Sequence, residues 1–419
     1  MNRRHFIREA GRYSAGSLLM PLILQAAAKS NPTLLVVSGW QDVNIGDIAH
    51  TPGLLSILET WLPRAKIILW KRSEGEEVKK LLQQNFPKVK IIYGSVDQDR
   101  NVSNPEVLKA FKKADFMVHG SGPSVVGQTN LEAWAKYSDK PFGIFGTTIQ
   151  NIGPELKTLL QKAVFIYTRE TASIGVLQEA DITGDHISFA PDATFFLKMH
   201  DEQKALQFLS EQGLEEKKFI CAIPRLRYTP YHKIRKTTDW TAERIQMVES
   251  VNAETKEKDH AKLREAMITW VRETGNKVLV CPEMTYQVDI MDELLIDPLP
   301  ADVKPFVVKR GYWMPDEAAS VYLRAHTVLS CECHSPIMSI ANGVPAFYLR
   351  QPTDTIKGQM YYDLDLSDWT FEIDETEGKQ IADTLMKVHK DYDAATQKVK
   401  QVNDNIHDIY ARAVKAIKA

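Results

Sequence analysis

The chain has 419 residues, 44% of them hydrophobic and 25% charged, with a formal net charge of −2. That length exceeds one ordinary core, so two domains are expected. The near-neutral balance gives no reason to expect nucleic acid as a partner, and four cysteines (Cys221, Cys281, Cys331, Cys333) are too few for a disulfide scaffold.

Residues 1–28 read as a targeting segment rather than as fold. Arg3-Arg4 is followed by Phe6-Ile7, a modest apolar run from Leu18 to Leu24, and Ala26-x-Ala28. This is the pattern of a twin-arginine export signal with a small-residue cleavage site. The apolar run is short for a bilayer span, and no other segment approaches that length. The expected location is periplasmic or loosely membrane-associated, with no integral membrane segment after the signal is removed.

From residue 31 the pattern alternates. Strand-like runs at 33–40, 66–71, 90–94, 116–122, 141–147 and 164–169 are separated by helical stretches near 51–62, 74–85, 105–113, 128–138 and 154–162. In the first of these helices Thr51 suits the N-cap and Pro52 the first helical position, with Leu55, Leu58 and Leu62 as the buried stripe. Alternation of this kind predicts a parallel sheet covered on both faces, hence an α/β Rossmann-like domain over 31–198. Residues 199–216 read as a linker. A second series at 218–225, 277–283, 306–311, 327–332 and 344–350, with helices near 259–274 and 315–325, predicts a second doubly wound domain over 217–376. The tail, 377–419, reads as amphipathic helix.

Chemistry concentrates where strands end. In an open parallel sheet, ligands sit at strand carboxyl ends against helix N-termini, where free N–H groups and the helix dipole favour an anion. His334 and Ser335 fall at such a point, after the strand 327–332 and before a short helix that stops at Gly343. A histidine there can donate a proton or bind an anion. The strand 116–122 runs into Gly120-Ser121-Gly122, where glycines would let backbone N–H groups approach a ligand. Between Arg225 and His260 lies a charged stretch without strand pattern, an insertion over 225–260. Its cations Arg225, Arg227, His232, Lys233, Arg235 and Lys236 suggest a lid that clamps an anion, with Arg225 best placed. Tyr228, Tyr231 and Trp240 are candidates to stack on sugar faces. Cys281, Cys331, Cys333 and His334 all fall at strand ends, but Cys-x-Cys-His is not a zinc spacing and buried cysteine usually packs as a small hydrophobe. No metal is expected from that group.

An ordered set of short motifs goes further. Asn44-x-Gly46-Asp47 near the start, Arg169-Glu170-x-x-Ser173 and then Pro191-Asp192 mid-chain, His334-Ser335, and a trailing Lys357-Gly-x-x-x-Asp-Leu resemble the polysaccharide pyruvyl transferase family, in the family's order, from about residue 34 to residue 369. The resemblance implies two domains facing a cleft, as in GT-B glycosyltransferases, a glycan or sugar acceptor at the first domain, and an anionic small-molecule donor at the second. It implies phosphoenolpyruvate as co-substrate and no cofactor. By the same resemblance His334 would be the acid, Asp47 an acceptor-orienting carboxylate beside Asn44 and Gly46, and Arg225 the anion clamp. Arg169-Glu170 would be either a substrate contact or an interdomain ion pair. One position departs from the family, which usually has Arg-x-His-Ser where this chain has Glu332-Cys333-His334-Ser335. A glutamate would repel the donor's carboxylate and phosphate. Two other functions stand beside pyruvyl transfer: a nucleotide-sugar glycosyltransferase, and a periplasmic glycan-binding protein that kept the fold without the chemistry.

Overall fold

A computed structural model describes residues 31–234 and 239–417. The segment expected to be an export signal, and Arg235 and Lys236 of the charged stretch, lie outside the described residues. Two parallel sheets dominate. The first has seven strands, β1 (Thr33–Ser38), β2 (Lys66–Lys71), β3 (Lys90–Ile92), β4 (Phe116–His119), β5 (Phe142–Thr147), β6 (Phe165–Thr168) and β7 (Ile187–Phe189), in the order β3-β2-β1-β4-β5-β6-β7. The second has six, β8 (Phe219–Ile223), β9 (Lys277–Val280), β10 (Val307–Lys309), β11 (Thr327–Ser330), β12 (Ala346–Arg350) and β13 (Thr370–Glu372), in the order β10-β9-β8-β11-β12-β13. Both orders reverse direction beside the first strand of the sheet, at β1/β4 and at β8/β11. Those two reversals are where open α/β sheets leave a crevice at their carboxyl edge. The fold is GT-B-like: two doubly wound Rossmann-like units.

The central strands are apolar along their whole length because helices cover both faces. Leu34, Leu35, Val36 and Val37 of β1, and every residue of β8, are fully buried. One hydrophobic cluster extends from Leu34 and Val36 through Phe195, Phe196 and Tyr410 to Phe219, Ile220 and Val328, so the two units share apolar packing. The helix Tyr392–Ala413, the second of two in the tail, reaches back to the first unit, where the Tyr410 hydroxyl donates to the Asp192 carbonyl at 2.6 Å. Residues 199–216 carry a helix, Glu202–Gln212, packed on the helix Pro315–Tyr322. Among the described residues no helix is long and apolar enough to cross a membrane.

Two local readings are corrected. The first helix runs from Ile45 to Trp61, not from Pro52, and its cap is Asn44, whose side-chain oxygen accepts from the N–H groups of Gly46 (2.6 Å) and Asp47 (3.2 Å). Pro52 lies inside it, where it removes the i→i−4 hydrogen bond to the Ile48 carbonyl. The charged stretch after β8 is not a long loop. Thr241 caps a 33-residue helix, Ala242–Thr274, whose N-terminal half is largely exposed and therefore shows no apolar stripe.

Candidate functional site

The facing edges of the two sheets meet. Val43–Ile45 of the first unit pairs with Glu283–Thr285 of the second: Ile45 N–H donates to the Glu283 carbonyl (2.9 Å), and Thr285 N–H to the Val43 carbonyl (3.1 Å). Beside this bridge His334, first residue of the helix His334–Ala341, rests directly on Gly46. A Cβ at Gly46 would lie 2.3 Å from the His334 Cβ. Glycine at 46 is therefore required by an approach between domains.

Two imidazoles meet edge to face at this junction, His50 from the first unit and His334 from the second, with ring centroids 4.9 Å apart and planes at 89°. Each is oriented by a buried carboxylate. His50 Nδ1 lies 2.8 Å from Asp192 Oδ1 and 2.9 Å from the Ser121 hydroxyl. Asp192 also accepts from Arg169 at 2.9 Å and from the Thr194 N–H at 3.0 Å. Although burial raises a carboxyl, His50 and Arg169 hold Asp192 well below the usual carboxylate range. An ionised Asp192 places the His50 proton on Nδ1. On the opposite side His334 Nδ1 lies 3.2 Å from Glu283 Oε1, and the other Glu283 oxygen accepts from the Ser335 N–H (2.6 Å) and hydroxyl (2.8 Å). Burial works against a charged His334, but Cys333 and Glu283 outweigh it and raise its pKa well above the ordinary value. Glu283 is lowered: burial opposes its charge, and the bonds from His334 and Ser335 prevail. The Nε2 atoms of both histidines are buried without a hydrogen-bond partner. His334 Nε2 is 3.9 Å from Asp192 Oδ2, and His50 Nε2 is 3.8 Å from Asp47 Oδ1.

Glu170 adjoins this cluster. It is 3.7 Å from Arg169 and accepts from Thr148 and Ser173, and burial pushes it up to about 7 against the pull of Arg169. Arg169 and Glu170 thus both lie within the first unit, and Asp192 is the principal anion on Arg169.

A second constellation fills the β8/β11 reversal. Arg225, just after β8, pairs with Asp354 and lies 3.3 Å from Glu332 Oε2 without hydrogen-bond geometry. Lys357 is 3.1 Å from Asp354, and Gln287 donates to Glu332 at 2.7 Å. Burial pushes Glu332 up to about 8, opposed by Arg225. Asp354 is held far down by Arg225 and Lys357 despite burial. The two cations expected to receive an anion are matched here by two carboxylates.

Several expected placements need correcting. The carboxylate touching His334 is Glu283, after β9, rather than Glu332, which points to Arg225 and Gln287. Arg227 lies off the site, bidentate to the buried Asp259 at 2.8 Å and also paired with Asp374. In the glycine turn, Gly120 N–H donates to the Val37 carbonyl (2.9 Å) and Gly122 N–H to the Gly146 carbonyl (3.4 Å), so those donors belong to the fold. The turn contributes Ser121 instead. Asn44 is a helix cap, Asp47 accepts from Gln41 and faces His50, and Ser335 is bound to Glu283. Among residues not anticipated, His50, Glu283, Gln287 and Asp354 carry most of the geometry. Only His50 had a usable clue, its helical i+3 spacing from Asp47, visible once the helix starts at Asn44. The four cysteines are free and buried.

The sequence profile of the polysaccharide pyruvyl transferase family matches residues 44–351, which contain the His50, Asp192 and His334 cluster and, of the second constellation, Arg225, Gln287 and Glu332 but not Asp354 or Lys357. The chain belongs to that family. Its members are transferases. No curated protein matches the chain by sequence. Solved structures share the fold at low identity. A Staphylococcus aureus MnaA co-structure with UDP has a TM-score of 0.55 at 11% identity, covering 92% of this chain and 94% of that one. The UDP-GlcNAc 2-epimerase of Neisseria meningitidis bound to UDP-GlcNAc has 0.56 at 11%, covering 92% and 99%. A Siraitia grosvenorii ugt transferase in complex with UDP has 0.53 at 10%, covering 92% and 100%.

Proposed function

We propose that the protein transfers a pyruvyl group from an enolpyruvyl phosphate donor to a glycan, closing a ketal on two hydroxyls. The observation that carries this reading is His334, first residue of its helix and within the span that the family profile matches. It is oriented through Nδ1 by Glu283, with Nε2 bare and facing the first unit. In the reaction the enol methylene carbon gains a proton, and two hydroxyl oxygens bond to the adjacent carbon. The phosphate leaves with its bridging oxygen, and the two hydroxyl protons account for the new methyl hydrogen and the proton on phosphate. His334 Nε2 is the proton donor to carbon. Asp47 and Ser121 lie on the acceptor side, while Arg225 and Lys357 form the donor side. The twin-arginine pattern supports export to the periplasm as part of this proposal.

One observation favours a second reading. With Asp354 already on Arg225 and Lys357, and Glu332 adding its charge above about pH 8, the donor seat suits a less anionic occupant, as in a nucleotide-sugar transferase or a glycan-binding protein. Calorimetry on the mature chain with phosphoenolpyruvate, UDP-glucose and an acidic polysaccharide separates these. Saturable phosphoenolpyruvate binding with phosphate release in the presence of the glycan supports transfer. Binding of UDP-glucose alone, or of the polysaccharide alone, replaces it with the corresponding alternative.

A further inference from the structure

We propose that His50, Asp192 and His334 bind a divalent transition-metal cation of the zinc class between the two units. One ligand atom from each residue lies within 4.8 Å of the others, and all three side chains are buried. Around a tetrahedral ion with bonds of about 2.0 Å, ligand atoms stand about 3.3 Å apart, so a modest closing of the junction completes the geometry. Independent of that spacing, His334 Nε2 is buried, faces Asp192 and lacks any hydrogen-bond partner, which is costly for a polar atom unless something binds there.

The surroundings point to a cation rather than to an apolar filler. Metal-ligating histidines characteristically have their other ring nitrogen held by a carboxylate, which fixes the tautomer and the ring orientation. His334 has this, with Glu283 on its Nδ1, and His50, binding through Nδ1, has its other nitrogen 3.8 Å from Asp47 Oδ1. His50 Nδ1 lies 2.8 Å from Asp192 Oδ1, and Asp192 Oδ2 lies 3.9 Å from His334 Nε2, so the three side chains converge. Two buried carboxylates, Asp192 and Glu170, flank the guanidinium of Arg169 beside this point. A donor set of two imidazoles and one carboxylate selects zinc and its first-row neighbours over magnesium or calcium, which prefer all-oxygen shells.

The consequence rests on the reading of His334 as proton donor. The ion and the transferred proton need the same Nε2, so a bound cation would switch the acid off and tie the units together. Binding itself is testable without any substrate. The mature protein, stripped with chelator, is titrated with zinc by calorimetry and with cobalt by visible spectroscopy. The expected result is one zinc per chain, a tetrahedral d–d cobalt spectrum, and a rise in melting temperature. His50→Gln and His334→Gln should each weaken zinc binding more than about 100-fold, and Glu283→Gln by about 10- to 100-fold as an orienting partner. Circular dichroism of each variant checks that the fold survives. If His50→Gln does not fold, Glu283→Gln carries the test. Stoichiometric zinc undisturbed in the folded variants, or no zinc retained by the stripped wild type at micromolar concentration, overturns the proposal. Loss of zinc binding in the variants supports it whether or not pyruvyl transfer is ever observed.

Discussion

Replacing Glu332 with glutamine tests how the donor seat discriminates. With Glu332 ionised, Arg225 and Lys357 are balanced by Asp354 and Glu332, and an anion entering the seat meets no net attraction. Glu332→Gln keeps a side-chain oxygen for the Gln287 amide and removes one negative charge. For a donor charge about 6 Å from that carboxylate, at an effective dielectric of about 20, the repulsion removed is roughly 3 kcal/mol. That corresponds to roughly a hundredfold in affinity. The sign with pH follows from burial, which pushes Glu332 up to about 8. Below that value the wild-type side chain is already neutral, and above it the charge appears. Phosphoenolpyruvate affinity of the wild type should therefore fall as pH rises through about 8, while that of the variant stays level. Isothermal calorimetry at pH 6.5 and pH 9, the bracketing values of the titration, reads both. A folded Glu332→Gln variant that binds phosphoenolpyruvate no better than wild type at the higher pH would show that Glu332 does not govern the seat.

Three further outcomes are expected. Arg227→Ala should cost about 3–5 kcal/mol in urea unfolding, because it strands the buried Asp259, while leaving ligand affinity unchanged; a binding defect without a stability loss would return Arg227 to the site. Gly46→Ala forces a methyl group into His334 and should destabilise by about 1–3 kcal/mol; an unchanged unfolding midpoint would mean the junction yields freely. Arg3→Lys with Arg4→Lys should hold the precursor in the cytoplasm, and undiminished periplasmic recovery on cell fractionation would refute the export reading.

The alternation of strands and helices made the two sheets legible, because buried parallel strands read as apolar runs whatever their tertiary partners. Strands β7 (Ile187-Ser188-Phe189) and β13 (Thr370-Phe371-Glu372) show no apolar run, whereas the equally short edge strands β3 and β10 each carry two adjacent apolar residues, Ile91-Ile92 and Val307-Val308. Thr51-Pro52 imitated a helix start because the same pair would be ideal at a cap, whereas the true cap at Asn44 looked like loop. The second part of the charged stretch 225–260 gives no helical pattern in the sequence, because the exposed first turns of the Ala242–Thr274 helix carry no apolar stripe. At the site, the motif residues Asp47, Arg169 and His334 were visible because they sit beside strand ends. Glu283 was not, being one acid after an unremarkable strand end, and its role depends on His334, some fifty positions away.

That dependence explains why the most informative contacts lie between motifs. Gly46, Glu283 and His334 come from three different strand–helix turns in two units, and none has a local reason to be what it is. Gly46 is small because His334 rests on it. Glu283 is an acid because it holds His334 Nδ1 and caps Ser335, and its own backbone carbonyl receives the Ile45 N–H. The same residue therefore orients the proposed acid and fastens the bridge between units. A motion that opened the Val43–Ile45 and Glu283–Thr285 bridge would also shift the carboxylate behind His334, since the side chain that sets the imidazole and the backbone that joins the units belong to one residue.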